Sequence, residues 1–256
     1  MALSAVALGG VVSFFATQAR VQVGHGYRIE LQQAVRASLD NVTRDLRLAG
    51  ACLPGNGSFS ALGGEDGPGP DELTIRAGVV RNDMSCVRTA IEAVMTPSGT
   101  STVRVAEPAD IEVDTLLLLH TAAGHQYSFV TGVAGNVVTI QDPASIDFPV
   151  GSSVSAVDER VYEIDALGPA PRLMLTINRG AAQAFAVGMR DLQVQYVLAQ
   201  NCPPCDVVDL PATDTDWRLV NEVIVTAQAE TVGAVRAEDQ VSLTETSRAK
   251  PRNLLQ

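Results

Sequence analysis

The first 50 residues constrain the fold of this 256-residue chain more than any other segment. From Met1 to Ala19 they read MALSAVALGGVVSFFATQA and carry no charge. A helix rises about 1.5 Å per residue, so this stretch would reach roughly 28 Å, the lower edge of a bilayer span. A secretory signal peptide has a basic region before its apolar run, and no basic residue precedes the run here. The pattern therefore favours a helix that continues past Ala19.

An amphipathic stripe carries this helix on to Gly50. Its apolar members follow at spacings of four or three residues, the period of one helix face: Tyr27, Leu31, Val35, Leu39, Val42, Leu46 and Ala49. On the other face, Asp40 has Arg36 and Arg44 at the spacing of helical ion pairs. A glycine followed by a proline four residues later is typical of a helix end. We therefore predict one helix over residues 1–50.

The two halves of this helix suggest different uses. The first half, apolar all round, would sit in a membrane or assemble with copies of itself, through Leu3, Val6, Leu8, Val11, Val12, Phe14 and Phe15. The second half would pack its stripe on a globular head, through Leu31, Val35, Leu39, Val42 and Leu46. The alternative is an ordinary signal anchor followed by a juxtamembrane helix.

Residues 51–256 are expected to form a β-rich head. Glycine and proline are dense over 53–71, which predicts a surface loop. Short β-like runs follow at 73–80, 86–93, 115–120, 126–133, 137–141, 160–165, 172–178, 191–198, 220–229 and 240–246. The segment from about residue 107 to 158 is expected to form a small inserted β-subdomain. The predicted class is α+β, with the long helix packed on an antiparallel β-sheet head.

The four cysteines suit disulfides in an oxidising compartment. We favour pairing Cys52 with Cys86 and Cys202 with Cys205; loop entropy makes the first, with its longer loop, the more stabilising. The second pair has the spacing of redox proteins, whose reactive cysteine lies at a helix N-terminus. Acidic, non-helical sequence follows here, so a structural disulfide is the preferred interpretation.

Most other chemistry finds no support in the sequence. A net charge of −11 repels phosphate backbones, which disfavours a nucleic-acid partner. No nucleophile elbow, phosphate loop or dinucleotide fingerprint is present, so we expect no enzyme and no organic cofactor. The three histidines are His25, His120 and His125; the last two flank a turn but would need a further metal ligand.

An acidic loop near residue 210 is the one candidate metal site. Its carboxylates belong to Asp206, Asp209, Asp214 and Asp216. Hard oxygen ligands at this density suit Ca²⁺. The plainer interpretation is a solvated acidic loop.

Several segments, in order along the chain, resemble PilW-type minor pilins of type IV pili and the related GspJ minor pseudopilins of type II secretion. They are RDLRLAG at 44–50, ERVYEI at 159–164, RLML at 172–175, VGMRDLQVQY at 187–196, 217–225 and RN at 252–253. Proteins of this family begin with a basic leader, a Gly-Phe cleavage point and a nearby Glu, which this sequence does not contain. Met1 aligns about ten residues inside the family's helix, which suggests a misassigned start or a truncation.

The resemblance implies a function in filament assembly. We expect a minor pilin in the tip or priming complex of a type IV pilus, with other minor pilins and the major pilin as partners. Its localisation would be the inner membrane, single-pass with a periplasmic head, and then the cell-surface pilus. Some pilin-like proteins bind calcium in a C-terminal loop, which fits the acidic loop. The alternatives are a type II secretion pseudopilin and a stand-alone, signal-anchored periplasmic binding or adhesion module.

Overall fold

The computed structural model describes residues 2–54, 59–97, 99, 101–168, 170–200, 202–231 and 241–251. In the first helix it places the side chains at 14, 15, 18, 22 and from 24 onward. Its helices are α1 (Ala2–Leu48) and α2 (Asp214–Arg218). Its strands are β1 (Leu62–Glu65), β2 (Glu72–Gly78), β3 (Arg88–Ala90), β4 (Thr102–Arg104), β5 (Leu116–Thr121), β6 (Gly124–Ala134), β7 (Val137–Ile140), β8 (Ser153–Asp165), β9 (Arg172–Ile177), β10 (Gln183–Val187), β11 (Met189–Leu198), β12 (Val207–Val208), β13 (Val220–Glu230) and β14 (Ser242–Ala249).

These strands form two antiparallel sheets. The larger sheet has the order β1-β2-β8-β5-β6-β7-β4, with β3 and β9 also on β8 and β10 on β9. The smaller sheet has the order β12-β11-β13-β14. Strand β8 is the centre of the larger sheet, because its 13 residues pair with β2, β3, β5 and β9 along different parts of its length.

Two hydrophobic cores lie on either side of the larger sheet. Strand β5 reads LLLLHT, and its side chains alternate between the two, as successive side chains of a strand do. Leu116 and Leu118 belong to the first core, which also contains the stripe of α1; Leu117 and Leu119 belong to the second. The second core draws on residues 87–156, so it begins earlier than the subdomain predicted at about 107–158.

The α1 helix ends in a left-handed glycine. Gly50 has a φ of 77°, and its N–H donates to the carbonyl of Arg76 in β2 at 2.9 Å. Two residues on, the N–H of Gly78 donates to the carbonyl of Ala51. The chain leaving the helix is therefore bonded directly to the edge of β2.

The predicted fold class is wrong. The protein is mostly antiparallel β-sheet, and it does not show a long helix packed along a sheet. Among the α1 side chains that the structure places, the buried ones begin at Leu31, so only the second half of the helix packs on the head. A helical period predicts a helix but says nothing about what covers it, and most of the regular structure comes from strands that pair across long sequence distances.

The predicted single-pass membrane localisation is corrected as well. Within the part of the chain that the structure describes, no helix is long and apolar enough to cross a membrane. The described face of α1 mixes apolar residues with charged ones such as Arg28, Glu30 and Arg36. The side chains of five predicted assembly residues, Leu3, Val6, Leu8, Val11 and Val12, lie outside the described part.

The loop predicted over 53–71 is partly a strand. Residues 62–65 form β1, which pairs with β2 in a register that sets Gly64 against Leu73. A Cβ on Gly64 would collide with the carbonyl oxygen of Glu72, so close approach of the two backbones requires glycine at this position. The glycine that suggested a loop is therefore part of a strand pair.

Candidate functional site

The first part of α1 carries exposed aromatic side chains. Phe14 is 60 % exposed and Phe15 is 64 % exposed, and the two rings meet edge to face. A Cβ placed on Gly24 or Gly26 would meet no atom within 4 Å. The segment 2–30, which we call the projecting segment, is about 44 Å long at the usual helical rise. Its described apolar surface is available to another molecule.

The projecting segment meets the head at a notch. A cavity of about 300 Å³ lies between Tyr27, Glu30 and Leu31 of the helix and Val187 and Glu230 of the head. Leu31 is the first buried residue among the placed side chains of α1, and it lines the notch, so the head covers the described helix surface from this point on.

The predicted packing residues of the second half lie inside the first core. These are Leu31, Val35, Leu39, Val42 and Leu46, all of them buried. Polar contacts with β14 flank this stripe. Thr43 Oγ1 lies 3.0 Å from Ser247 Oγ, and Arg36 pairs with Glu245 at 3.2 Å instead of with Asp40.

A buried carboxylate joins α1 to the larger sheet. The side chain of Asp45 is only 3 % exposed, and both of its oxygens are used. Arg160 Nη1 donates to Oδ1 at 2.7 Å, and the hydroxyl of Tyr162 donates to Oδ2 at 2.6 Å. Arg160 also pairs with Asp158 at 3.0 Å. We call Asp45, Arg160 and Tyr162 the junction triad.

The triad favours one protonation state for Tyr162 and one for Arg160. Burial raises the pKa of the Tyr162 hydroxyl well above its ordinary value, and its hydrogen bond to Asp45 raises this pKa further. Burial works against the charged form of Arg160, but the bond to Asp45 and the nearby carboxylates more than offset it and raise its pKa. The tyrosine is therefore a neutral donor and the arginine a cation at neutral pH, so the triad is a fixed structural link.

A disulfide fastens the same region. Cys52 pairs with Cys86, and the carbonyl of Cys52 accepts a hydrogen bond from Arg88 at 3.1 Å. A Cβ on Gly78 would come within 2.7 Å of that carbonyl oxygen, so the backbone after α1 lies directly against β2. The triad, the backbone bonds to β2 and this disulfide hold the end of the helix in one orientation.

The second disulfide lies on the rim of the smaller sheet. Cys202 pairs with Cys205, as the sequence favoured, between β11 and β12. We call this pair the short disulfide. No helix follows it directly, which agrees with a structural bond.

The acidic loop does not form a metal site in the described residues. No group of three or more His, Cys, Asp or Glu side chains there is arranged to hold a metal ion. Asp216 instead closes a capping box with Thr213 at the start of α2, and Asp209 accepts a hydrogen bond from Gln195.

The predicted approach of two histidines does occur. His120 and His125 are direct partners in the β5–β6 pair, and the ring of Phe59 lies edge to face against both. Burial lowers the pKa of each, so both favour the neutral form. The described residues around them supply no third metal ligand, and His25 lies exposed on α1.

Sequence analysis missed Asp45 as a key residue. It lies three residues after Val42 and four before Ala49, inside the apolar stripe. A lone acid at such a position needs a buried partner, because an unpaired charge in a core is costly. This spacing was the available signal, but it does not identify partners more than a hundred residues away.

Comparison of the chain with protein families, with curated proteins and with solved structures found no match. The function is therefore argued from the geometry and from the sequence resemblance alone.

Proposed function

We propose that this chain is a minor pilin of the PilW type, whose projecting segment joins it to neighbouring subunits of a filament. The head would then be carried at the filament tip. The observation that best supports the proposal is the pair of exposed rings, Phe14 and Phe15, on a helix whose placed side chains become buried by the head from Leu31 onward.

Burial of these two rings would supply a useful part of an assembly interface. Fully burying a phenylalanine is worth about 1.5–3 kcal/mol, and each ring is already about one-third covered. Covering the rest of both rings therefore contributes roughly 2–4 kcal/mol per subunit. An isolated subunit forgoes this energy, which favours a partner on this surface.

The fixed junction also suits a filament subunit. Binding energy gathered on the projecting segment positions the head only if helix and head move as one body. The junction triad and the Cys52–Cys86 disulfide restrict the hinge between them. This fastening supports a subunit whose head must face a defined direction.

The test compares two double variants of the full chain in the cells that encode it. Phe14→Ser with Phe15→Ser removes the exposed rings; Gln18→Ser with Gln22→Ser is the matched control on the same segment. We expect the first variant to lower the fraction of the protein that co-purifies with sheared surface filaments at least tenfold, as a loss of about 2 kcal/mol or more requires. The control should assemble normally, and both should accumulate to equal levels.

Equal recovery of the two variants in filaments would refute the role of the rings. Co-purification with a secretion-system filament would replace the pilus assignment with a pseudopilin. Detection of the protein evenly along the shaft would contradict the tip position, and detection away from all filaments would favour a stand-alone binding module.

A further inference from the structure

Three glutamates lie in a row across neighbouring strands of the larger sheet. Glu65 of β1 is the direct partner of Glu72 in β2. Leu73 pairs with Tyr162, so the antiparallel register of β2 and β8 carries Glu72 to the position opposite Glu163. We call Glu65, Glu72 and Glu163 the glutamate row. Like charges directly opposite one another destabilise a sheet, so the arrangement costs folding energy.

The row lines one side of a cavity of about 220 Å³. Two more acids, Asp66 and Asp71, also line it, and the rest of the wall comes from Gly67, Pro70 and Ile164. None of these five acids has a salt bridge to any residue in the described ranges. We call this cavity the acidic pocket.

Asp71 gives independent evidence that the pocket is incomplete. It is 4 % exposed, and its Oδ2 accepts a hydrogen bond from the backbone N–H of Val194 at 2.7 Å. Its Oδ1 is buried and has no hydrogen-bond partner among the described atoms. A buried carboxylate oxygen without a donor is costly, and native proteins rarely leave one so.

The electrostatics agree with this geometry. Burial raises the pKa of Glu72, and the neighbouring charges of Glu65 and Glu163 raise it further. Burial likewise raises the pKa of Asp71, although the Val194 bond works against it, and the charge of Asp66 adds to the rise. The pocket therefore concentrates negative charge that no basic side chain in the described part of the chain neutralises.

The shape of the pocket restricts the cation. The described acids include no group of three or more arranged to hold a metal ion, so a compact divalent cation has no ready set of ligands. An ammonium or guanidinium group instead brings several N–H donors, which suit spread carboxylates. Asp71, whose Oδ1 has no donor among the described atoms, lines the same cavity. Pro70 and Ile164 offer an apolar wall for the methylene stem of such a side chain.

We propose that the acidic pocket binds the ammonium or guanidinium group of a basic side chain on a partner protein. The proposal does not depend on the filament role, because it uses only the head.

The test is a titration of the ¹⁵N-labelled full chain by nuclear magnetic resonance. The probes are capped tripeptides with arginine or lysine between two glycines, so that the side chain is the only cation. We expect saturable shifts of the amide signals of Val194, Glu72 and Glu163 that weaken with added salt. Absence of any shift at these amides would overturn the proposal. Putrescine and calcium chloride are the comparison ligands, and tighter binding of either one would overturn the assignment to a protein side chain.

A matched pair of double variants makes the test specific. Glu72→Gln with Glu163→Gln removes two charges from the pocket; Glu107→Gln with Glu112→Gln removes two exposed charges elsewhere. Each lost ion pair between a partly exposed glutamate and the peptide cation should weaken peptide binding about two- to fivefold. We therefore expect the pocket variant, which loses two glutamates, to bind the peptide roughly 4- to 25-fold more weakly. The control should change by less than twofold. Equal weakening of both variants would mean a general charge effect and would overturn the proposal. Glu163→Gln alone, at an exposed position, serves if the double variant misfolds.

Discussion

Replacing Asp45 by alanine should destabilise the protein strongly, because it removes the acceptor of one buried and one partly buried hydrogen bond. The Tyr162 hydroxyl would lose its partner inside the core, at a cost of about 1–3 kcal/mol. Losing the hydrogen bond from Arg160 should cost about 1.5 kcal/mol, the low end of the range for hydrogen bonds to charged groups. Arg160 is 30 % exposed and keeps Asp158 as a partner. Together the two losses predict about 2.5–4.5 kcal/mol, and we take about 3 kcal/mol, the lower limit for breaking a buried ion pair.

The assay is urea unfolding followed by tryptophan fluorescence with the disulfides intact. Trp217 is the only tryptophan, its ring centre lies 4.9 Å from that of Tyr196, and it packs against the first core, which contains the stripe of α1. In a head of about 200 residues, 3 kcal/mol corresponds to a fall in Tm of roughly 10 °C. The transition should therefore move clearly with either denaturant or heat.

Asp40→Ala is the matched control for this prediction. Asp40 lies exposed on the same helix, and no described residue pairs with it. We expect its free energy of unfolding to change by less than about 0.5 kcal/mol. If Asp45→Ala costs less than about 1 kcal/mol, or no more than the control, the junction triad does not fasten the helix. The double variant Asp45→Ala with Tyr162→Phe should lose clearly less stability than the sum of the two single variants, because both substitutions remove the same hydrogen bond.

Three further predictions concern the remaining fastenings and the glutamate row. Replacing Cys52 and Cys86 by serine should lower the free energy of unfolding by about 3.8 kcal/mol through loop entropy, and the same change in the short disulfide by about 1.6 kcal/mol. Equal losses in urea unfolding would contradict the loop argument. Gly78→Ala should cost about 1–3 kcal/mol because its Cβ meets rigid backbone, whereas Gly63→Ala, with ordinary contacts, should cost less than half as much in the same assay. Glu72→Gln should stabilise the protein at pH 7. Folding raises the pKa of Glu72 above its ordinary 4.5, so the wild type loses stability as the pH rises through this range. The stability advantage of the variant should therefore vanish below about pH 4. An advantage of the same size at about pH 4 and at pH 7 would refute the reasoning.

Local patterns in the sequence were enough to find most of the longer strands, although only the second half of β8 was predicted. The apolar run of β5 and the Val- and Ile-rich run of β13 were both predicted to within one residue at their ends. Gly135, with a φ of 59°, begins the two-residue turn between β6 and β7, at a glycine-asparagine pair that is typical of hairpin turns. Such features depend on side chains and turns close together in the chain, which is why periodicity and turn chemistry reveal them.

Four of the shorter strands could not be predicted in this way. Strands β1, β4, β10 and β12 were missed, because each has two to five residues and is stabilised by a partner rather than by its own composition. The acidic pocket depends on one of them, since Glu65 meets Glu72 only through the pairing of β1 with β2. The site therefore follows from a strand register that composition does not encode.

The junction triad also changes what the sequence resemblance can support. Two of the segments that carry it, 44–50 and 159–164, meet in space through Asp45, Arg160 and Tyr162. A buried aspartate needs those partners whatever the protein does, so the joint occurrence of the two segments follows from how the helix is fastened to the sheet. A protein with the same fastening and a different projecting segment would carry the same segments. Assembly must therefore be decided at Phe14 and Phe15, outside the junction, where substitution leaves the fastening intact.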